Sequence, residues 1–377
     1  MTVNQIATLL NTINTEVAEG AALVKEDLSN IVDVGKTVFD ATWQDNYIKA
    51  LVDQIGKMVF VDRPYAGYAP SILRSDWEYG SILAKVRAKD FDAKANPSWQ
   101  LTAGQTVNQF EYNPPVVKQT FFNQKEAWQI DCSFAEDQVK SAFTSAGQLN
   151  SFFSMIETTI DNSRTQKMDS LVMRTINNFI AEKISAQRGV INVLSEYNAA
   201  YGTTLTAAAA HTDAQFLRYL AYITLDLKDR LKVRSTIYND GSAGYPTATP
   251  NDRMHIVLNS AYGRALDVFM AADTYHDELT DVGNYETVPF WQGSGASYAM
   301  ADRTAIKVAL ASDNTTTVQQ SYIVGVIFDE DAIAINNTNM RVTSAYNANG
   351  EYYNNFYKVE TSCLNDLAEN GIVLTLA

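Results

Sequence analysis

The most informative pattern in the chain is a pair of extended, largely polar segments that leads into a long helix. In residues 77–90, small and apolar positions alternate with polar ones, and the polar face carries Lys85, Arg87 and Lys89. Residues 116–134 form a second extended run, which mixes polar side chains with a few aromatic ones. The two runs therefore predict a long antiparallel ribbon.

The predicted ribbon has little apolar surface to bury within its own chain. Its tip, between the two runs, carries three large aromatic residues, Trp99, Phe110 and Tyr112. An isolated two-stranded hairpin is marginally stable in water, and its open edges invite pairing with another chain. The pattern favours self-assembly over catalysis, and the candidate intersubunit contact residues are Trp99, Phe110, Tyr112, Lys85, Arg87 and Lys89.

Helical periodicity dominates the segments before and after the ribbon. In residues 1–34, apolar side chains recur at spacings of three and four, which predicts an arm or short helix that is mobile or bound to a partner. Residues 39–58 show a second helical pattern. Residues 148–185 contain neither Gly nor Pro, carry one long apolar stripe, and place charges such as Arg164 on the wetter side. This span predicts a rod about 50 Å long.

The rest of the chain has a mixed α/β pattern. We place a boundary in the small, turn-rich segment 186–212, followed by a helix at 213–232 with Thr212 as its N-cap. Strands are predicted at 254–258, 306–311, 322–328, 333–335, 340–343 and 371–376, with a helix at 260–272 whose candidate cap is Asn259. Together these segments predict an α+β protein.

Composition and charge exclude several classes of protein. No run of about 18 apolar residues is present, and the first fifteen residues lack the basic and apolar regions of a secretory signal. The formal net charge of −14 and the absence of a cluster of Lys and Arg disfavour sequence-specific nucleic-acid binding. Two cysteines, Cys132 and Cys363, are too few for a disulfide framework or a thiolate zinc site.

A search for catalytic and ligand-binding motifs finds none. The three histidines lack metal-ligand spacing, and the glycine-rich segment 293–297 lacks the Lys-Ser/Thr ending of a phosphate loop. The carboxylates Asp329, Glu330 and Asp331 lack the spacing of a calcium loop, so we interpret them as a solvated strand end. The sequence therefore predicts no enzyme, no cofactor and no metal.

The order of arm, ribbon, long helix, α/β part and returning strands resembles the HK97-like major capsid proteins of tailed bacteriophages. Three segments are similar to head proteins of phages of Gram-positive hosts, including small podophages related to phi29: EDLSNIVDVG at 26–35, FDEDAI at 328–333 and GEYYNNFYK at 350–358. The resemblance implies an α+β fold with an N-terminal arm, an extended β-hairpin E-loop, a peripheral domain with a spine helix, and an α/β axial domain.

The resemblance also implies domain boundaries. The arm and lead helix would be residues 1–60, and the peripheral domain residues 61–189 with 336–377. The peripheral domain would include the E-loop at 77–131 and the spine helix at 148–185, and the axial domain would be residues 190–335.

The implied function is assembly of a virion capsid in the cytoplasm of the bacterial host. Copies would form pentamers and hexamers of an icosahedral shell around the phage double-stranded DNA, without sequence-specific contacts to it and without a membrane. A portal protein is an expected partner. Because the chain lacks a long charged N-terminal extension, a separate scaffolding or decoration protein is a further one. The alternatives are an encapsulin-like compartment shell, a tail or baseplate protein, and an enzyme.

Overall fold

The structure is a computed structural model of the chain. It describes residues 3–17, 22–39, 46–51, 54, 67–74, 83–99, 102–106, 110–241, 245–273, 285–293, 300–302 and 304–377. The predicted ribbon therefore lacks a description at 77–82, and most of the predicted helix at 39–58 lies outside the described residues, apart from helical residues 46–51 and 54.

The helices and strands follow in chain order. The helices are α1 (Val3–Val17), α2 (Ile31–Phe39), α3 (Glu136–Ala142), α4 (Ala146–Ala186), α5 (Val193–Tyr201), α6 (Ala214–Leu231) and α7 (Ser260–Asp273). The strands are β1 (Leu83–Ala88), β2 (Val117–Phe122), β3 (Lys125–Ala135), β4 (Val190–Asn192), β5 (Met254–Asn259), β6 (Glu286–Val288), β7 (Gln292–Gly293), β8 (Met300–Asp302), β9 (Ile306–Ala309), β10 (Thr317–Gln320), β11 (Ile323–Asp329), β12 (Ile333–Asn347), β13 (Tyr352–Asn365) and β14 (Gly371–Thr375).

The chain divides into two compact units. The first unit comprises Met1–Gly80, Lys125–Val172 and Ile335–Ser362, and the second comprises Ser81–Gln124, Met173–Ala334 and Cys363–Ala377. The division falls within α4, whose residues contribute to both units. The predicted assignment of residues to arm, peripheral and axial domains concerns roles in a shell and stays a prediction.

The N-terminal helix α1 packs into the core of the first unit. The apolar stripe of α1 is buried together with residues of α2, β3, α4 and β13, and Leu10 and Ile13 are fully inaccessible to solvent. Asn11 fixes the segment that follows, since its side chain accepts a hydrogen bond from the Val24 amide and donates one to the Val24 carbonyl. The predicted periodicity is confirmed, but the expectation of a mobile or partner-bound arm is wrong for these described residues.

A three-stranded sheet in the order β12–β13–β3 completes the first unit. Strand β13 pairs antiparallel with β3 over eleven positions, from Tyr352 opposite Ala135 to Ser362 opposite Lys125. The run predicted at 116–134 is therefore two strands. Strand β2 pairs in another sheet, and Asn123 and Gln124, which separate it from β3, are not in a strand. The separate strands predicted at 333–335 and 340–343 are a single strand, β12.

The predicted long helix is confirmed as α4, which spans 41 residues. Of the charged residues predicted on its wetter side, Arg164 is buried, and three further polar residues of the helix, Thr175, Asn177 and Lys183, are buried as well. Asn177 shows how such polar groups are accommodated, since its side-chain amide donates to the carbonyl oxygen of the buried Trp291. The prediction that Arg164 lies on the wet side was therefore wrong.

A five-stranded sheet in the order β4–β14–β11–β5–β6 organises the second unit. Its central strand, β11, pairs antiparallel with both β14 and β5, and every one of its residues is buried. Gly325 permits the close approach of β5, because a Cβ atom there would lie 2.7 Å from the Val257 carbonyl oxygen. A continuous apolar strand of this kind is covered on both faces.

Helices α5, α6 and α7 pack on this sheet and share its core. The side chain of Asn192 caps α5 by accepting from the Ser195 amide at 2.9 Å. The segment 186–212, predicted to be rich in turns, thus contains a strand, β4, and a helix, α5. The predicted cap of α6 is wrong by one residue: Asp213, not Thr212, accepts from the Phe216 amide at 2.8 Å.

Lys183 is the largest buried cation of the second unit. Its ammonium donates to the Tyr238 carbonyl oxygen at 2.7 Å and lies 5.3 Å from the centre of the Phe179 ring. Burial lowers the pKa of Lys183 from 10.5 to about 8, while the negative charges of Asp240 and Asp366 oppose that shift. Charged Lys183 is therefore a cost of folding that these two contacts and the two nearby acids only partly offset.

Leu10→Ala tests whether α1 belongs to the core of its own chain. Loss of a fully buried leucine leaves a cavity, so we expect the free energy of unfolding of the unassembled chain to fall by about 2–5 kcal/mol. Urea denaturation measures this change. Val3→Ala in the same helix is the matched control, because Val3 is 41% exposed, and should have little effect. An equally small effect of both substitutions would contradict the packing described.

Lys183 also predicts a pH dependence of stability. Because its folded-state pKa is depressed, the folded chain binds fewer protons than the unfolded chain between about pH 8 and pH 10.5. The contribution of this group to the free energy of unfolding should rise by about 3 kcal/mol as the pH is raised across that interval, and should be constant below about pH 8, where both states bind the proton. Denaturation of the wild type and of Lys183→Met at several pH values should show this slope in the wild type alone. Identical slopes would contradict it.

Candidate assembly surfaces

The predicted ribbon is present as the antiparallel pair β1 and β2. Six residue pairs join the strands, from Leu83 opposite Phe122 to Ala88 opposite Val117, and the Lys89 amide extends the ladder to the Val116 carbonyl at 2.8 Å. This ladder is a two-stranded sheet of its own. Its strands therefore lack the cross-strand support that a larger sheet supplies.

The two faces of the ribbon are exposed in the opposite sense to their polarity. Ala84, Val86 and Ala88 are exposed, and Val86 is 64% accessible to solvent. Across the ladder, Phe121 is opposite Ala84 and is 61% exposed, and Val117 is opposite Ala88. We name the apolar residues of this side, Ala84, Val86, Ala88, Val117 and Phe121, the ribbon face; the exposed Gln119 lies among them, opposite Val86.

The opposite side of β1 directs its cations into a cluster of acids of the same chain. The Lys85 ammonium donates to the Asp331 carbonyl oxygen at 2.5 Å and contacts the Asp366 carboxylate at 3.1 Å. The Arg87 guanidinium lies 2.8 Å from Asp366 and 2.5 Å from Glu369. We name Lys85, Arg87, Asp366 and Glu369 the ribbon anchor.

The ribbon anchor is partly desolvated, which strengthens its interactions. The side chain of Asp366 is 6% exposed, and its backbone amide donates to the Ala332 carbonyl at 2.8 Å. Burial raises the pKa of Glu369, while Arg87 and Lys85 act to lower it. Removal of one partner from such a cluster leaves an uncompensated charge, so the anchor resists dissociation of β1.

The carboxylates 329–331 border the ribbon anchor, and the first of them, Asp329, is not solvated. Asp329 is buried, where it accepts from the Thr249 hydroxyl at 2.7 Å and lies 3.5 Å from the Arg253 guanidinium. Arg253 also binds Asp331 directly. The sequence-based interpretation was therefore wrong for Asp329, because cations and hydroxyls of the same chain satisfy these acids.

The predicted tip residues lie on the loop between β1 and β2. Trp99, Phe110 and Tyr112 each expose more than four fifths of their surface. Lys89 and Tyr112 line a shared open hollow of about 560 Å³, together with residues such as Phe91 and Pro114, whereas Trp99 and Phe110 do not line it. The structure thus joins Lys85 and Arg87 in the ribbon anchor, within the chain, and leaves the tip aromatics exposed.

The described residues offer little for catalysis or metal binding. They contain no group of three or more His, Cys, Asp or Glu side chains placed to share a metal ion. His255 stacks beside Phe328, with ring centres 5.8 Å apart. His276 and residues 294–297 of the glycine-rich segment lie outside the described ranges. Of the described helices, none is long and apolar enough to cross a bilayer.

Sequence reasoning missed both the ribbon anchor and buried Lys183. The alternating positions of Lys85 and Arg87 predicted a charged face of β1. Their acidic partners, Asp366 and Glu369, lie about 280 residues away along the chain. A compensating pair of acids at that separation has no local signature. Lys183 lies in a helical pattern that fits an exposed lysine equally well.

Comparison with known proteins identifies the fold. The chain is similar to a chain in the capsid structure of Staphylococcus phage Andhra, with 11% sequence identity, a TM-score of 0.51, and coverage of 81% of this chain and 83% of that one. It is also similar to a chain in the structure of head fiber and inner core protein gp22 of native bacteriophage P68, with 10% identity, a TM-score of 0.52, and coverage of 84% and 86%. The predicted α+β, HK97-like capsid fold is confirmed.

The family follows from a match over nearly the whole sequence. A comparison with curated proteins finds no match. The family model of the Phi29-like phage major capsid protein, however, matches residues 6–375, which include the ribbon, α4 and both compact units. The chain therefore belongs to the Phi29-like phage major capsid protein family.

Proposed function

We propose that copies of this chain assemble through pentamers and hexamers into the icosahedral shell of a phage head, which encloses the double-stranded DNA genome. The family supports a structural role rather than a catalytic one. The observation that carries the proposal is the ribbon face, since Val86 and Phe121 remain mostly exposed in the isolated chain. Exposed large apolar side chains grouped on one surface are a common mark of protein–protein contact.

The ribbon is the proposed main contact between neighbouring copies. Its apolar side faces outward while Lys85 and Arg87 are neutralised by acids of the same chain, so association with a second copy removes apolar surface from water and leaves these two charges paired. The tip aromatics Trp99, Phe110 and Tyr112 extend this contact surface along the loop. Closed symmetry repeats each contact many times, so that a weak pairwise contact suffices.

The proposed domain roles follow the predicted boundaries. Residues 61–189 with 336–377 form the peripheral domain, with the E-loop at 77–131 and the spine helix at 148–185. Residues 190–335 form the axial domain, which lies near the symmetry axes of the capsomers. Residues 1–60 form the arm and lead helix, of which the described part packs on the peripheral domain's core.

The proposed partners are other components of a phage head. A portal protein and a separate scaffolding or decoration protein complete the particle, which assembles in the cytoplasm of the bacterial host. The genome is enclosed without sequence-specific contacts, because a chain with a net charge of −14 has too few clustered cations to follow a phosphate backbone.

Substitution of the ribbon face should impair assembly without unfolding the chain. In Val86→Ser/Phe121→Ser, each side chain loses apolar contact worth about 1–2 kcal/mol per copy when buried between copies. We therefore expect assembly to require a concentration at least tenfold higher, as measured by sedimentation velocity and electron microscopy. Lys118→Gln is the control, because Lys118 lies on the other side of β2. Wild-type assembly of the double variant would contradict the proposal.

Neutralisation of the ribbon anchor should loosen the ribbon. In Lys85→Gln/Arg87→Gln, Asp366 and Glu369 lose their charged donors, which are worth about 1.5–3 kcal/mol each. Backbone amides of β1 and β2 should exchange with deuterium at least tenfold faster in the unassembled chain. Lys89→Gln, which removes an exposed cation of the same segment, should leave exchange unchanged. Equal exchange rates in both variants would show that the anchor does not hold the ribbon.

A further inference from the structure

A second polar hollow lies on the solvent-facing side of the three-stranded sheet in the first unit. It has a volume of about 250 Å³ and is open to solvent. Its polar lining comprises Gln129 of β3, Asn339 and Arg341 of β12, and Lys358 and Glu360 of β13. We name this site the sheet hollow. It lies apart in sequence from the ribbon strands β1 and β2 and belongs to the other compact unit.

Arg341 and Lys358 lie on adjacent strands, β12 and β13, and line the same hollow. On the other side of β13, Lys358 pairs with Gln129 of β3, which also lines the hollow. The hollow therefore takes its lining from all three strands of the sheet.

Two like charges on neighbouring strands of a sheet repel each other. Among the described residues, neither Arg341 nor Lys358 has a carboxylate within the 4.0 Å ion-pair distance, although Glu360 lines the same hollow. The Lys358 ammonium instead lies 5.6 Å from the centre of the Phe356 ring. The contrast with the ribbon anchor is direct, since there each cation has a carboxylate of the same chain. The lining of the sheet hollow thus holds two cations and one acid, which is an excess of one positive charge.

We propose that the sheet hollow binds one side-chain carboxylate of a second copy of this chain. A carboxylate between Arg341 and Lys358 converts their repulsion into two charge-assisted contacts, and the planar guanidinium can bind both of its oxygens. Gln129 and Asn339, which line the same hollow, each carry an amide group that can donate a further hydrogen bond. The inference rests on the proposed assembly and assigns it a specific polar contact.

Charge decides between a carboxylate and the phosphates of nucleic acid. The chain has 43 acidic and 29 basic residues, so a neighbouring copy presents many carboxylates. The hollow holds only two cations and is bordered by two acids, Glu360 within it and Asp131 on the exposed side of β3. Nucleic acid binds through many phosphates at once and needs a correspondingly extended set of cations. Two cations in one small hollow match a single carboxylate instead.

Two double variants test the role of the two charges. Arg341→Gln/Lys358→Gln should raise the concentration needed for assembly about tenfold, because a charge-assisted contact between copies is lost. The melting temperature of the unassembled variant should equal or exceed that of wild type, since the repulsion is also lost. The matched control, Arg341→Lys/Lys358→Arg, keeps both charges and should assemble almost as wild type does. Unimpaired assembly of the Gln variant would overturn the proposal.

Zero-length crosslinking identifies the ligand directly. A carbodiimide joins a lysine amine to a carboxylate that it touches, so particles assembled from equal amounts of ¹⁴N- and ¹⁵N-labelled copies should yield a Lys358 crosslink between heavy and light peptides. A Lys358 crosslink confined to single chains, for example to Glu360, would overturn the proposal. So would protection of Lys358 only in particles that contain nucleic acid. Failure of the wild type to form any closed particle would instead refute the proposed function, on which this inference rests.

Discussion

The ion pairs between β1 and the acids near the C-terminus determine which side of the ribbon faces outward. Lys85 and Arg87 are held by Asp366 and Glu369, at distances between 2.5 and 3.7 Å. Because side chains alternate along a strand, this arrangement directs Val86 and its neighbours to solvent. A slip of one residue in the same strands would bury the apolar side and expose the charges. The anchor thus produces an apolar surface that a partner can cover.

The main apolar elements of the two units are covered by their own chain. Helix α1 lies in the core of the first unit, and β11 is buried on both faces in the second. Buried Lys183 likewise has a partner, since it donates to the Tyr238 carbonyl oxygen. In the ribbon, by contrast, exposed apolar residues such as Val86 and Phe121 lie on paired strands. A two-stranded ribbon with exposed apolar residues, carried by well-packed units, is suited to repeated assembly of identical copies.

Local patterns in the sequence were sufficient to predict individual helices and strands, but not the contacts between residues that are far apart in the chain. The periodicity of α4 and α6 predicted those helices, and the apolar runs of β11 and β14 predicted those strands. An element buried on one face or on both faces has a regular spacing of apolar residues in its sequence. The same patterns could not show that the stripe of α1 is covered by its own chain, since a helix buried by a partner has the same periodicity. Nor could they show that Asp366 meets Arg87, or that 116–134 divides between two sheets, because both depend on tertiary pairing.

The most direct test of this account is a high-resolution cryo-electron microscopy reconstruction of particles assembled from the purified chain, with a scaffolding protein co-expressed if one is needed. The account predicts closed icosahedral shells in which a neighbouring copy covers Val86 and Phe121, while Lys85 and Arg87 keep their contacts with Asp366 and Glu369 of their own chain. Helical tubes, or shells in which Val86 and Phe121 face solvent, would contradict it.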